Sequence, residues 1–134
     1  VKNYFLDTNV LIDFLADRKP FSQFAYKLFE QAAIKWTLWT SDNSITTTFY
    51  IIEREIGTDS AKQKLALLLK HLSIQAIGKP ELLAALSLPF KDFEDAVQYT
   101  AALKQGSIDA IITRNKKDFK KSQIKVLSPD ELFI

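Results

Sequence analysis

The sequence predicts an α/β fold, a three-layer α/β/α sandwich around a mostly parallel five-stranded sheet, and three observations carry that expectation. Short runs with strand character alternate with longer segments of helical periodicity from one end of the chain to the other. The first run, Tyr4-Phe5-Leu6, passes directly into Asp7-Thr8-Asn9, three residue types that cap helices. Glycine stands just past two of the helical segments, at Gly57 and Gly106.

Length and composition narrow the classes. A chain of 134 residues is most simply one domain, residues 1–134, able to bury on the order of 68% of its unfolded surface. It has no cysteine and a single histidine, His71, which excludes disulfide frameworks, thiolate zinc sites, cysteine nucleophiles and a histidine pair acting as acid and base. The longest purely aliphatic run, residues 65–69, is far short of the ~20 needed to cross a bilayer. The first residues also lack the layout of a signal peptide, so a soluble, cytoplasmic protein is expected. A net charge of +2 says little about partners; where the charges lie says more.

In chain order, the opening strand should lead into a helix over residues 9–15, with Val10, Leu11 and Phe14 turned inward. Arg18-Lys19-Pro20 breaks the pattern. A second helix is expected over residues 21–34, where Phe21, Phe24, Ala25, Leu28, Phe29 and Ala32 share a face. The alternation Trp36-Thr37-Leu38-Trp39-Thr40 reads as the second strand. Caps among residues 41–44 start a third helix that runs to Ile56, with Ile45, Phe49, Ile52 and Ile56 on one stripe. A fourth follows Thr58 and Ser60, with Ala61, Leu65, Leu68, Leu69 and Leu72 facing the core and His71 at its end, where an imidazolium suits the dipole.

Residues 73–77 should form the third strand, and a short helix follows over 81–86. An acidic block, Asp92-Phe93-Glu94-Asp95, opens a helix running to Lys104, with Phe93, Ala96, Val97 and Thr100 falling together on the wheel. Residues 108–112 and 124–127 are the fourth and fifth strands, and Pro129 begins a terminal helix.

Asp7 sits where this pattern concentrates function. At the carboxyl end of a strand it lies on the edge where open α/β sheets bind ligands. The fourth strand ends in Thr113-Arg114-Asn115-Lys116-Lys117-Asp118 and should deliver polar donors and a carboxylate to the same edge. Two accounts of the acids stand side by side. Asp7 and Asp92 are good caps, and Glu94 and Asp95 answer a helix dipole. Gathered at one mouth, the same carboxylates would repel unless protonated or bridged by a cation, and oxygen-only ligands suit Mg²⁺ or Mn²⁺. Residues 114–121 hold five cations and one acid. That is either a solvated loop or a rim for a phosphodiester backbone.

These segments resemble the PIN-domain ribonucleases, especially the VapC-type toxins of bacterial toxin–antitoxin pairs. Residues 5–13, Phe-Leu-Asp-Thr-Asn-Val-Leu-Ile-Asp, are similar to the first motif, residues 92–102 with Gly106 to the third, and residues 112–119 to the fourth. The resemblance implies a parallel sheet of order 3-2-1-4-5 and Mg²⁺- or Mn²⁺-dependent endonucleolytic cleavage of RNA. It implies Asp7, Asp95, Asp118 and Asn115 as catalytic residues, with Asp7, Asp95 and Asp92 holding metal. Arg114, Lys116, Lys117, Thr8 and Thr113 would meet substrate. A protein antitoxin and a second copy of the chain are the implied partners.

The second motif departs from the family. Its usual glutamate falls at Thr47, and Asn115 is neutral where many members carry aspartate. A catalytically weak PIN-like module binding RNA or protein is therefore the competing expectation. A phosphoaspartyl receiver is disfavoured because the residue two after Asp7 is Asn9 rather than a second acid.

Overall fold

The computed structural model describes residues 1–133 and centres on β1 (Lys2–Leu6), whose parallel neighbours are β2 (Trp36–Ser41) on one side and β4 (Ala110–Ile112) on the other. With β3 (Ser73–Gln75) outside β2 and β5 (Val126–Leu127) outside β4, the order is β3-β2-β1-β4-β5, all parallel. The sheet order and fold class are those expected. Consecutive residues of β1 point to opposite faces. Tyr4 and Leu6 join a core with Val10, Leu11, Leu28 and Ile52, whereas Phe5 joins Ile111, Tyr99 and Phe119.

The first of these layers is built by α1 (Thr8–Leu15), α2 (Ser22–Glu30), α3 (Asp42–Ile56) and α4 (Thr58–Leu69). On the other face lies α6 (Phe93–Gln105), backed by α5 (Lys79–Leu86). Because α6 is covered from two sides, residues Ala96 through Ala102 are all buried. The run is rich in small side chains, which lets its neighbours come close. A left-handed Gly106 (φ 87) ends the helix and returns the chain to β4.

Several boundaries differ from expectation for local reasons. Helix α2 stops at Glu30, not at residue 34. Ala33 takes a positive φ of 67 and its N–H donates to the Trp36 carbonyl, starting the approach to β2 early. Ile34 is left 73% exposed. Phe93, expected inward, is 47% exposed because the first buried residue of α6 is Ala96. The expected terminal helix is a 3-10 stretch, Pro129–Phe133, and a second such stretch spans Lys116–Phe119. His71 lies in the turn just past α4.

Candidate active site

β1 and β4 are paired through Leu6 and Ile112, so the residues that follow each strand leave the sheet side by side. The Asp7 amide donates to the Ile112 carbonyl at 2.9 Å, which places Asp7 at the mouth between these strands. This is the switch point of the sheet, where chain connections diverge in opposite directions.

Asp7 is only 5% exposed and is held from three sides. One carboxylate oxygen accepts from the Thr8 amide at 2.8 Å, as expected of a helix cap. The other accepts from the Thr113 hydroxyl at 2.8 Å and from the Asn9 amide group at 3.3 Å. Burial pushes its pKa up, Thr113 and Thr8 pull it back, and Asp118 and Asp92 push it up further. Capping and site-building are thus done by the same carboxylate.

Asp95 comes from the first turn of α6. Its pKa is raised to about 7, by burial first and then by Asp7, Asp92, Asp118 and Glu94. Asp92, the exposed cap of α6, accepts from the Asp95 amide at 3.0 Å. The Glu94 pKa is raised by burial first and then by Asp7 and Asp92, with the nearby Thr47 hydroxyl pulling it back. Acids from β1, α6 and the turn after β4 therefore sense one another's charge.

Asp92, Asp95 and Asp118 line a cleft of about 620 Å³ with Pro89, Phe90, Lys91, Lys117, Lys120 and Lys121. Phe90 stacks on Tyr99 (5.1 Å between centroids) and meets Phe119 edge-on (5.9 Å), which gives this wall a rigid footing.

The structure separates the remaining residues marked out from the sequence. Thr8 is buried, with its hydroxyl 2.6 Å from that of Ser44. Thr113 is fully buried; besides donating to Asp7 it accepts from the Asn115 amide at 3.1 Å and from Asn9 at 3.3 Å. Both threonines brace the site from below. Asn115 is exposed and does not line the cleft.

Of the three cations expected to meet substrate, only Lys117 reaches the cleft. Arg114 makes a forked pair with Asp13 (2.6 and 3.2 Å), its guanidinium lying 4.1 Å from the centre of the Phe21 ring. Lys116 pairs with Glu131.

Some supporting residues were not singled out from the sequence. Asp13 is 1% exposed, and its signal was an acid at an inward position of an amphipathic helix, which needs a cation. Ser41 caps α3 through the Ser44 amide and donates to the fully buried Gln98 at 3.0 Å, joining α3 to α6 beneath the acids. The Gln98 side-chain nitrogen has no partner among the described residues.

The donor set fits a hard divalent cation: every candidate ligand is a carboxylate oxygen, and their mutual repulsion is what bound positive charge would relieve. Among the described residues, no three acidic or imidazole groups are already drawn together around one point. An ion that keeps several waters and takes one or two carboxylates directly does not need them to be.

A parallel sheet between two helical layers, with Asp7 buried at the mouth between β1 and β4, defines an α/β domain with its candidate site at the topological switch. The particular family is the PIN domain, which matches residues 3–117, and the chain belongs to it. Over 133 residues the chain is 32% identical to Ribonuclease VapC1 of Aquifex aeolicus (strain VF5), covering 95% of this chain and 90% of that protein.

Solved structures share the fold. VapBC2 from Rickettsia felis, bound to a promoter DNA fragment, superposes with a TM-score of 0.73 at 18% identity, covering 94% of this chain and 97% of that one. A toxin–antitoxin complex from Klebsiella pneumoniae gives 0.69 at 22% identity, over 94% and 97% of the two chains. VapC20 of Mycobacterium tuberculosis, a Sarcin-Ricin loop cleaving toxin, gives 0.66 at 16%, over 81% and 86%.

Proposed function

We infer that this chain is an endoribonuclease of the VapC type, a hydrolase of RNA phosphodiester bonds and the toxin of a toxin–antitoxin pair. The observation that carries the reading is the placement of Asp7, buried at the mouth between β1 and β4, together with the cleft lined by Asp92, Asp95 and Asp118, whose charges act on Asp7 and on one another. The identity to a ribonuclease over nearly the whole chain supports the same reaction.

Asp7, Asp95 and Asp92 would hold Mg²⁺ or Mn²⁺, with Asp118 lining the same cleft as Asp92 and Asp95. Such an ion, when bound, lowers the pKa of a water and stabilises charge on the leaving oxygen, so no protein nucleophile is required. The chain's own part is positional. Thr113 and Thr8 fix the two Asp7 oxygens, Asp92 orders the first turn of α6 beneath Asp95, and Lys117 meets a phosphate at the rim. Asp95 must give up its proton before it can serve as a ligand, so metal affinity, and activity with it, rises with pH.

The glutamate missing at Thr47 does not leave that side of the site without a carboxylate. Glu94 lies near Thr47, and its carboxyl is pushed up by burial and by the charge of Asp7. This supports an active enzyme over a binding module. The test is cleavage of a fluorogenic RNA with Mn²⁺ by the wild type, Asp7→Asn and Asp95→Asn. Turnover by the wild type alone, abolished by EDTA, is expected; turnover that survives EDTA overturns the metal-dependent reading.

An antitoxin is a proposed partner, supported by the fold neighbours found in toxin–antitoxin complexes, and a second copy of the chain is proposed on the family resemblance alone. Exposed Leu82, Leu83, Leu86 and Leu103 on the α5–α6 face are apolar surface that such partners would cover. No helix among the described residues is long and apolar enough to cross a membrane.

A further inference from the structure

The basic stretch after β4 divides into two sets of cations with different surroundings. The 3-10 turn Lys116–Phe119 brings residues three apart into line. Phe119 is buried in the core, while Lys116 stays at the surface and pairs with Glu131. Lys117 and Asp118 lie in this turn, Lys120 and Lys121 follow it, and all four line the acidic cleft. Lys91 lines it too, from the segment just before α6.

Among the described residues, none of Lys91, Lys117, Lys120 and Lys121 is ion-paired, although acids line the same cleft. They do not neutralise the site pairwise. Arg114 and Lys116, by contrast, each have a committed carboxylate partner.

We propose that Lys117, Lys120 and Lys121, with Lys91 from the α6 side, hold the phosphates flanking the scissile bond, and that Arg114 and Lys116 carry no substrate. The proposal rests on the nuclease reading above and assigns its backbone contacts. Cations and carboxylates share the lining of one cleft, so the RNA backbone is gripped beside the carboxylates that face the reacting phosphate. The turn itself is a rigid mount, since Phe119 is packed edge-on against Phe90.

The test is fluorescence anisotropy of a labelled single-stranded RNA with Mn²⁺, in an Asp7→Asn background so that the RNA survives, across a range of salt. Each phosphate contact on a single strand contributes about 0.7 to the slope of log affinity against log salt. Lys120→Gln/Lys121→Gln is expected to lower that slope by about 1.4 and Lys91→Gln by about 0.7. Lys116→Gln should leave it unchanged. With Asp7 restored, the double variant should raise KM more than it lowers kcat. All of these lysines are exposed, and melting curves matching the parent establish that the variants are folded.

A double variant that keeps the parental slope, or a Lys116→Gln variant that loses as much, overturns this assignment and leaves the nuclease reading intact. A wild type that neither binds nor cleaves the RNA in Mn²⁺ overturns both.

Discussion

Asp95→Asn should make the metal-free protein more stable at neutral pH, although it removes a residue placed at the heart of the site. The folded state raises the Asp95 pKa from 3.8 to about 7. At 1.36 kcal/mol per pKa unit, that displacement sets a ceiling of roughly 4 kcal/mol on the strain of ionising Asp95 in the fold. Asp95 is half-exposed, and solvent screening reduces the expected effect to about 1–2 kcal/mol. The sign follows from which state releases the proton first. Near pH 4 the unfolded chain begins to ionise while the folded chain holds its proton, so wild-type stability falls as pH rises and levels off above about 7. Asparagine does not titrate, and it gives up a favourable charge at the start of α6, a loss of roughly 0.3–1 kcal/mol that opposes the gain. Urea denaturation in EDTA at pH 4, 6 and 8 reads the difference. The variant should be the more stable at pH 8, with the gap closing towards pH 4. A gap that is absent at pH 8, or the same at every pH, refutes the claim that Asp95 is held against its neighbours' charge.

Other perturbations probe the supports. Thr113→Val removes the buried donor to Asp7 and leaves the Asn115 amide without its acceptor; a loss of about 1–3 kcal/mol and weaker Mn²⁺ binding by calorimetry are expected. Arg114→Met strands the carboxylate of Asp13, whose side chain is 2% exposed, at a cost of roughly 3–5 kcal/mol in urea melts. Burial already raises the Asp13 pKa, so this deficit should shrink as pH falls and Asp13 protonates; Asp13→Leu/Arg114→Met should recover most of it. Gly106→Ala forces a side chain into a left-handed φ of 87 and should lower stability by about 1 kcal/mol without changing metal affinity.

What the sequence made legible was what local chemistry determines. The run of residues 4–6 leading into three caps located both β1 and the mouth at Asp7, because a strand buried on both faces has to be apolar and a helix start has to be capped. The acids of α6 were visible for the same reason. What stayed hidden depended on pairings between distant segments. A lysine-rich stretch gives no sign that Lys116 will meet Glu131 while Lys120 stays unpaired; that depends on a carboxylate 15 residues further along the chain. Arg114 looked like a substrate cation until Asp13, buried on α1, was seen to need it.

The polar groups beneath the acids join these levels. Thr8, Ser41, Ser44 and Gln98 lie buried between β1, β2, α3 and α6, where apolar side chains would pack at less risk of an unmet hydrogen bond. Their effect is to tie the start of α1 to α3, and α3 to α6, so the elements carrying Asp7 and Asp95 are held in register while those carboxylates repel. A fold that spends stability to keep like charges close should regain it when positive charge arrives. Mn²⁺ should therefore raise the melting temperature more at pH 8, where the acids are ionised, than at pH 5, where Asp95 keeps its proton. Equal shifts at the two pH values would mean that the ion binds somewhere other than between these acids.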